Sequence, residues 1–216
     1  MKLSIKTRLI TAFVVLVALS AAIFYLGSSN AGVLNDRLNT IVDLNVKRIM
    51  LASKASEDIQ LITKREKELV MTNDLEEIQE YIKIIEDRNT EMVNRIDQLK
   101  SMSDEKGAEI LDGFTTKWND YQKVYNKIKS LSLKNTDSTF AAAYKLSTTE
   151  GRQAAIGAIG SLSQILKKNE AALAQAKIET DALYDDAKRN MIILLVMSVV
   201  ISVAISFWII TSISKS

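Results

Sequence analysis

The chain contains no proline, no cysteine and no histidine, and each absence excludes a class of structure or chemistry. A long chain without proline that is rich in Leu, Ile, Ala, Lys and Glu favours uninterrupted helices. The lack of cysteine excludes a disulfide scaffold and a thiolate metal site. The lack of histidine removes the usual general base, the usual zinc ligand and the phospho-accepting residue of a two-component kinase. These absences predict an all-α protein without metal or redox chemistry.

Long apolar runs are present at both ends of the chain, from Leu9 to Gly27 and from Met191 to Thr211, and neither contains a charge. Each has the roughly 20 residues that a helix needs to cross the hydrocarbon core of a membrane. The net charge of +2 gives no reason to expect a nucleic-acid partner. We therefore predict a membrane hairpin with five parts: a cytoplasmic amino terminus (1–8), a first transmembrane helix (9–27), an extracytoplasmic four-helix domain (28–190), a second transmembrane helix (191–211) and the start of a cytoplasmic linker (212–216).

The charges that flank the first span indicate its orientation. Lys2, Lys6 and Arg8 precede this span, whereas the three residues that follow it are uncharged. The positive-inside rule then places the amino terminus in the cytoplasm, with Lys215 on the same side. A cleaved signal peptide is the alternative, but its apolar segment is usually only ~7–15 residues long. We expect a multi-pass protein of the inner, cytoplasmic membrane with an uncleaved first span.

Turn signals divide the middle of the chain into four long helices. Breaks are predicted at residues 73–74, 101–104 and 134–138, where Asn, Asp, Ser and Thr cluster. Asp74 is a good N-cap, with Glu77 three residues later as in a capping box. A further signal at residues 147–151 leaves two interpretations of residues 138–147, a short distal helix or the first turns of the last one. The prediction is a membrane-anchored antiparallel four-helix bundle.

The first and last helices both carry an apolar seam with heptad spacing. The first seam runs from Leu34 to Leu69 over about five heptads, and the last runs from Thr148 to Ala187. Trp118, Tyr121 and Tyr125 recur at helical spacing on the third helix. We expect these three to pack between helices, and the wall of a ligand pocket is the alternative.

Polar residues interrupt both seams, and a buried charge usually needs a partner. Counting residues from the two spans places Glu66 level with Arg152, and Arg48 level with Asn169 and Glu170. We therefore predict that Arg48, Glu66 and Asn169 lie in structural polar layers, with Glu66 paired to Arg152 and Arg48 paired to Asn169 or Glu170.

Four stretches of the chain form a recognisable pattern: the start MKLSIKTRL followed by a span, residues 59–74 (IQLITKREKELVMTND), residues 118–121 (Trp-Asn-Asp-Tyr), and the second span followed by residues 213–216 (Ile-Ser-Lys-Ser). With these stretches the whole chain resembles the sensory front end of a methyl-accepting chemotaxis protein. The last of these resembles the entry to a HAMP linker, although Ser216 stands where that linker usually opens with proline. Since no methylation helices or signalling hairpin follow, we expect a fragment, a truncated form, or a receptor that lacks its output half.

The resemblance implies a homodimer that binds a small molecule, for example a carboxylate, or a periplasmic binding protein. Receptors of this family typically use basic residues late in the first helix and polar residues early in the fourth. The matching candidates here are Lys64, Arg65, Thr148, Thr149 and Arg152. The alternative for the basic residues is a solvated helix face, because residues 64–68 form a mixed-charge run.

No catalytic arrangement is evident in the sequence, which has no glycine-rich phosphate loop, no nucleophile elbow and no metal-spaced cluster. We therefore expect no catalytic residues, no cofactor and no metal, and a chemoreceptor-type sensory module that is not an enzyme. Two alternatives remain open. One is the input half of a sensor histidine kinase or cyclase, and the other is a structural membrane coiled coil without a ligand.

Overall fold

The structure is a computed structural model that describes the backbone of residues 5–214 and the side chains of residues 6–211. Lys2, Lys215 and Ser216, on which the predictions of orientation and linker drew, lie outside the described residues. Every element among the described residues is a helix, as the sequence predicts. The chain divides into two compact units, one formed by Met1–Ile41 with Gln175–Ser216 and the other by Val42–Ala174.

The first unit consists of helix α1 (Ile5–Thr40) and the carboxyl-terminal part of helix α6 (Arg152–Ser214). Large apolar side chains on both helices are exposed, for example Phe24 and Phe207. Two continuous helices, Lys6–Leu69 and Asp137–Thr211, are long and apolar enough to cross a membrane. They contain the two predicted spans, and they touch at Gly27, where an added Cβ would lie 3.3 Å from Cε of Met191.

The second unit is a helical bundle. Its helices are a π-helical segment (Ile41–Val46), α2 (Lys47–Leu69), α3 (Leu75–Ser101), α4 (Glu105–Lys134), α5 (Asp137–Leu146), a second π-helical segment (Ser147–Gly151) and the start of α6. The three predicted breaks are confirmed to within a few residues. Residues 138–147 are the first turns of the last helix and not a separate short helix, because α5 continues into α6 through the second π-helical segment.

Side-chain caps fix where the bundle helices begin. Asp74 accepts a hydrogen bond from the backbone N–H of Glu76 at 2.8 Å, and Asp104 accepts one from Gly107 at 2.8 Å. Thr136 forms a capping box at the start of α5. Each cap satisfies N–H groups that have no partner in the first turn of a helix. Helix α4 ends at Asn135, whose positive φ of 49° lets the chain turn sharply.

The core of the bundle contains the first predicted seam. Its members from Asn45 to Leu69 are buried or half-buried, and the side chains of Ile59, Ile62 and Leu69 are completely buried. The expectation for the aromatic residues of α4 is also confirmed. Trp118 is buried and stacks on Tyr121 with 4.6 Å between ring centroids, and its Nε1 donates to Asn89 at 2.8 Å.

The last seam differs from the prediction at its start. Thr148 and Arg152 are exposed, and the buried positions are Ala143, Ser147 and Gly151, each four residues from the next. A heptad seam alternates steps of three and four residues, whereas π-helical bonding adds one residue to a turn. The π-helical segment therefore moves Ser147 and Gly151 into the positions that Thr148 and Arg152 would occupy in a regular helix.

Candidate functional site

A buried carboxyl group lies at the junction of three helices inside the bundle. Glu66 near the end of α2 is only 2% exposed, and its Oε2 accepts a hydrogen bond from the hydroxyl of Tyr121 on α4 at 3.3 Å. Ser147, the first residue of the second π-helical segment, faces the same carboxyl group. Neither Oε1 of Glu66 nor Oγ of Ser147 completes a hydrogen bond of good geometry. The junction is polar, buried and incompletely bonded.

Burial changes the proton affinity of this junction. Desolvation raises the pKa of Glu66, and the nearby hydroxyls of Ser147 and Tyr121 and the charge of Lys67 offset part of that rise. The pKa of Tyr121 is raised too, by desolvation first and then by the adjacent Glu66. A group held in a low-dielectric interior disfavours its charged form. Ionisation of Glu66 therefore costs folding free energy, and water or a shifted Ser147 would reduce that cost.

Ser147 and Gly151 are the first and last residues of the second π-helical segment, and Gly151 packs against α4. Gly151 ends the π-helical segment, and an added Cβ there would lie 3.3 Å from the carbonyl oxygen of Leu146 and 3.6 Å from Cδ1 of Ile128. This turn therefore packs against α4 at ordinary van der Waals distance, and glycine relieves crowding only against the carbonyl of Leu146. Such single-turn π-helical segments are often found at functional sites.

The predicted pairing of Glu66 with Arg152 is wrong. Arg152 is exposed and forms no ion pair with Glu66, whose partners are instead Tyr121 and Ser147. The count from the two spans assumed a uniform rise per residue along both helices. That count fixed neither the rise through the first π-helical segment nor the direction in which each side chain points, and Ser147 rather than Arg152 faces Glu66.

The second predicted polar layer is partly visible. Asn169 is buried, and it and the half-buried Arg48 each leave one buried nitrogen without a hydrogen bond. Asp104, at the start of α4, bonds to Lys168 through both carboxylate oxygens, at 2.6 and 2.7 Å. These bonds lower the pKa of Asp104, and the charge of Arg48 contributes to the same shift. Asp104 and Lys168 are therefore paired in this region, while the polar layer of Arg48 and Asn169 and the pairing of Arg48 with Asn169 or Glu170 stay predictions.

The basic ligand candidates lie on the α2 side of the bundle. Lys64 is exposed, with its Nζ 3.9 Å from Glu68. Arg65 is half-buried; it donates to Glu68 at 2.5 Å, and its guanidinium lies over the ring of Tyr81, 5.6 Å from the centroid. These contacts use Arg65 to join α2 to α3 and leave Lys64 the more available of the two cations.

The remaining candidates lie around the second π-helical segment. The hydroxyl of Thr148 donates to the carbonyl of Tyr144 at 2.9 Å, and that of Thr149 donates to the carbonyl of Lys145 at 2.6 Å. Such bonds to the preceding turn occupy the hydroxyl donors. Arg152 is exposed. The five candidates therefore lie on α2 and on the segment that leads into α6, and whether they bind a ligand together stays a prediction.

A buried ion-pair network between α2 and α3 was not anticipated from the sequence. Asp58 is 5% exposed and accepts a hydrogen bond from Arg95. Nη1 of Arg88 lies 4.0 Å from Oδ1 of Asp58. Desolvation raises the pKa of Asp58, and both arginines oppose that rise. The available signal was the position of Asp58, which directly precedes the buried seam residue Ile59. Among the described side chains, no three acidic residues come together as a possible metal site.

Comparison with known protein families gives a match that covers most of the chain. A family model described as a four helix bundle sensory module for signal transduction matches residues 2–184. The searches of curated proteins and of solved structures found no match. The matched region contains the first apolar helix and the whole bundle described above. The chain therefore belongs to the four-helix-bundle sensory modules for signal transduction, the type named after methyl-accepting chemotaxis proteins.

Proposed function

We propose that the chain is the sensory module of a transmembrane chemoreceptor, which detects an extracytoplasmic ligand and transmits a helix shift to a cytoplasmic output. One observation carries the proposal. The helix Asp137–Thr211 begins in the sensory bundle, passes through a π-helical segment beside the buried Glu66, and ends in an apolar stretch long enough to cross a membrane. A ligand that binds one position of this helix more tightly shifts the population toward it.

The proposed setting is the inner membrane with the amino terminus in the cytoplasm and two copies in a homodimer. The exposed apolar residues Val42, Val46 and Met50 on the first helix support a dimer, because they recur every four residues on one face. Ala52 and Ala55 lie in the protomer's own core instead. Since the chain has no cysteine, Met50→Cys introduces a single thiol, and mild oxidation in membranes should link two copies.

The matched control for the dimer is Lys123→Cys on the exposed face of α4. We expect the Met50 variant to form a covalent dimer and the Lys123 variant to stay monomeric on a denaturing gel. Equal yields from the two variants would contradict the proposed interface.

The proposed ligand is a small carboxylate held by Lys64, Arg65, Thr148, Thr149 and Arg152, or a periplasmic binding protein that docks on the same region. Lys64 and Arg152 support this choice, because both are exposed cations and charge-assisted bonds to a carboxylate are strong. The ligand does no chemistry in this proposal, so the module is not an enzyme.

Thermal unfolding of the full chain in detergent, measured against a panel of amino acids and organic acids, tests the proposal. A specific ligand should raise the midpoint, because it binds the folded state. Lys64→Gln should remove the rise, whereas Lys54→Gln on an exposed part of the same helix should keep it. An identical loss in both variants would reject Lys64 as a contact.

A further inference from the structure

A cleft of about 600 Å³ opens at the end of the bundle where α2 turns into α3 and α4 turns into α5. A hydrogen bond from Nδ2 of Asn135 to the carbonyl oxygen of Asn73, 3.0 Å long, ties the two turns together. The volume lies within the range of small-molecule sites. Its walls include Met71 and Asn73 on one side and Asp137, Phe140 and Tyr144 on the other.

One wall of the cleft is a single face of helix α5. Asp137, Phe140 and Tyr144 are spaced by three and four residues, which places them in one row along a helix. Tyr144 is 53% exposed, and Met71 on the opposite wall is 75% exposed. These two large side chains therefore contribute little to the protomer's core and add apolar area to a cleft whose lining is otherwise mainly polar.

The cleft carries negative charge. Asp137 is the only charged residue among those that line it. The two turns, residues 70–77 and 134–141, contain four acidic residues and one basic residue. The positive end of the α5 helix opposes this field, and the capping box of Thr136 and Thr139 bonds two of the N–H groups at that end. A cation is therefore favoured over an anion at this position.

We propose that this cleft binds a small organic cation, a primary amine or a quaternary ammonium compound. The carboxylate of Asp137 supplies the counter-charge, and the rings of Phe140 and Tyr144 supply the aromatic surface that attracts organic cations. Met71 covers the apolar part of the ligand. The cleft is opposite in charge to Lys64 and Arg152, and none of the five carboxylate-site candidates is among the residues that line it. It lies within one protomer, so binding does not depend on the proposed dimer or on signalling.

Isothermal titration of the full chain with choline tests the proposal, in maltoside micelles because these carry no choline head group. The control ligand is 3,3-dimethylbutan-1-ol, which has the shape of choline without its charge. We expect choline to bind and the neutral alcohol to bind at least about tenfold more weakly, because both the carboxylate and the rings act on the charge. Equal affinities, or no heat from choline up to ~10 mM, would overturn the proposal.

Two variants locate the binding site. Asp137→Asn keeps the size of the side chain and removes its charge, and Tyr144→Leu removes the exposed ring. Each should weaken choline binding by about three- to thirtyfold, with unchanged helicity by circular dichroism. Asp97→Asn, an equal charge change at an exposed position of α3, should bind as the unmodified chain does. Binding that survives both cleft variants, or that falls equally in the Asp97 variant, would place the cation elsewhere and refute this site.

Discussion

Deletion of Thr149 should convert the second π-helical segment into regular α-helix without moving the buried face of the last helix. Ala143, Ser147, Gly151 and Ala155 are spaced by four residues throughout, and the following buried positions alternate between three and four. Removing one residue between Ser147 and Gly151 shortens one step from four to three. The seam then alternates as a regular heptad pattern does, so the same side chains stay buried.

The expected energetic cost of this deletion is small. Thr149 is exposed, and its hydroxyl contributes one bond to the carbonyl of Lys145. The loss of such a bond costs about 1 kcal/mol at most in an exposed setting. Deletion of Gln164, also exposed, is the matched control, because it removes a residue where the helix is already regular. It rotates the preceding turns by about 100° relative to the following ones.

That rotation would separate Leu162 from Ile165, which are 2% and 0% exposed and lie on opposite sides of the deletion. Full burial of each such side chain is worth about 1.5–3 kcal/mol, so the Gln164 deletion should cost at least about 3 kcal/mol. Thermal and urea unfolding, followed by circular dichroism in detergent, measure both variants. If the Thr149 deletion destabilises the chain as much as the Gln164 deletion does, the π-helical segment does not act as a one-residue insertion.

Three further predictions concern single side chains. Glu66→Gln should stabilise the fold increasingly as the pH rises above 4.5, the ordinary pKa. Because the pKa of Glu66 is raised in the folded state, the unmodified chain loses stability as the pH rises from the ordinary pKa through the folded-state pKa. The loss is about 1.4 kcal/mol for each pH unit that separates the two pKa values. A pH titration of unfolding checks this, and parallel curves for the two proteins would contradict it. Arg95→Ala should cost about 2–3 kcal/mol in urea unfolding, because Asp58 stays buried without its main partner; a change below about 0.5 kcal/mol would show that Asp58 is solvated. Gly151→Ala should change the free energy of unfolding by less than about 1 kcal/mol, because the gain in helix propensity offsets the crowding of the new Cβ against the carbonyl of Leu146; a thermal midpoint lowered by the equivalent of more than about 2 kcal/mol would show that this turn cannot move away.

The sequence was sufficient for the helical elements and their ends. Capping signals depend on residues within one turn, and Asp74 and Asp104 begin helices as their side-chain chemistry predicts. The first seam was also correct from Asn45 to Leu69, because burial along one helix follows its own apolar period. The two candidate spans were recognised for the same reason, since length and hydropathy are properties of a single segment.

The candidate site was only partly predictable, because it depends on register between helices. The sequence correctly indicated that Glu66 interrupts a buried seam and needs a partner. It did not reveal that Ser147 rather than Arg152 would face Glu66, or that Tyr121 would donate to the carboxyl group. A shift of one residue in a helix rotates every side chain beyond it by about 100°, so residue counting alone cannot select the partner.

The sequence by itself therefore determined an all-helical chain with two apolar spans and a seam containing buried polar residues, because these features arise within single segments. Only the tertiary structure decided which polar groups meet, as at Glu66 and Ser147 or at Asp58 and Arg95, and which turns enclose the cleft beside Asp137. Those contacts join residues that are 37 or more positions apart, and their geometry depends on how the helices pack.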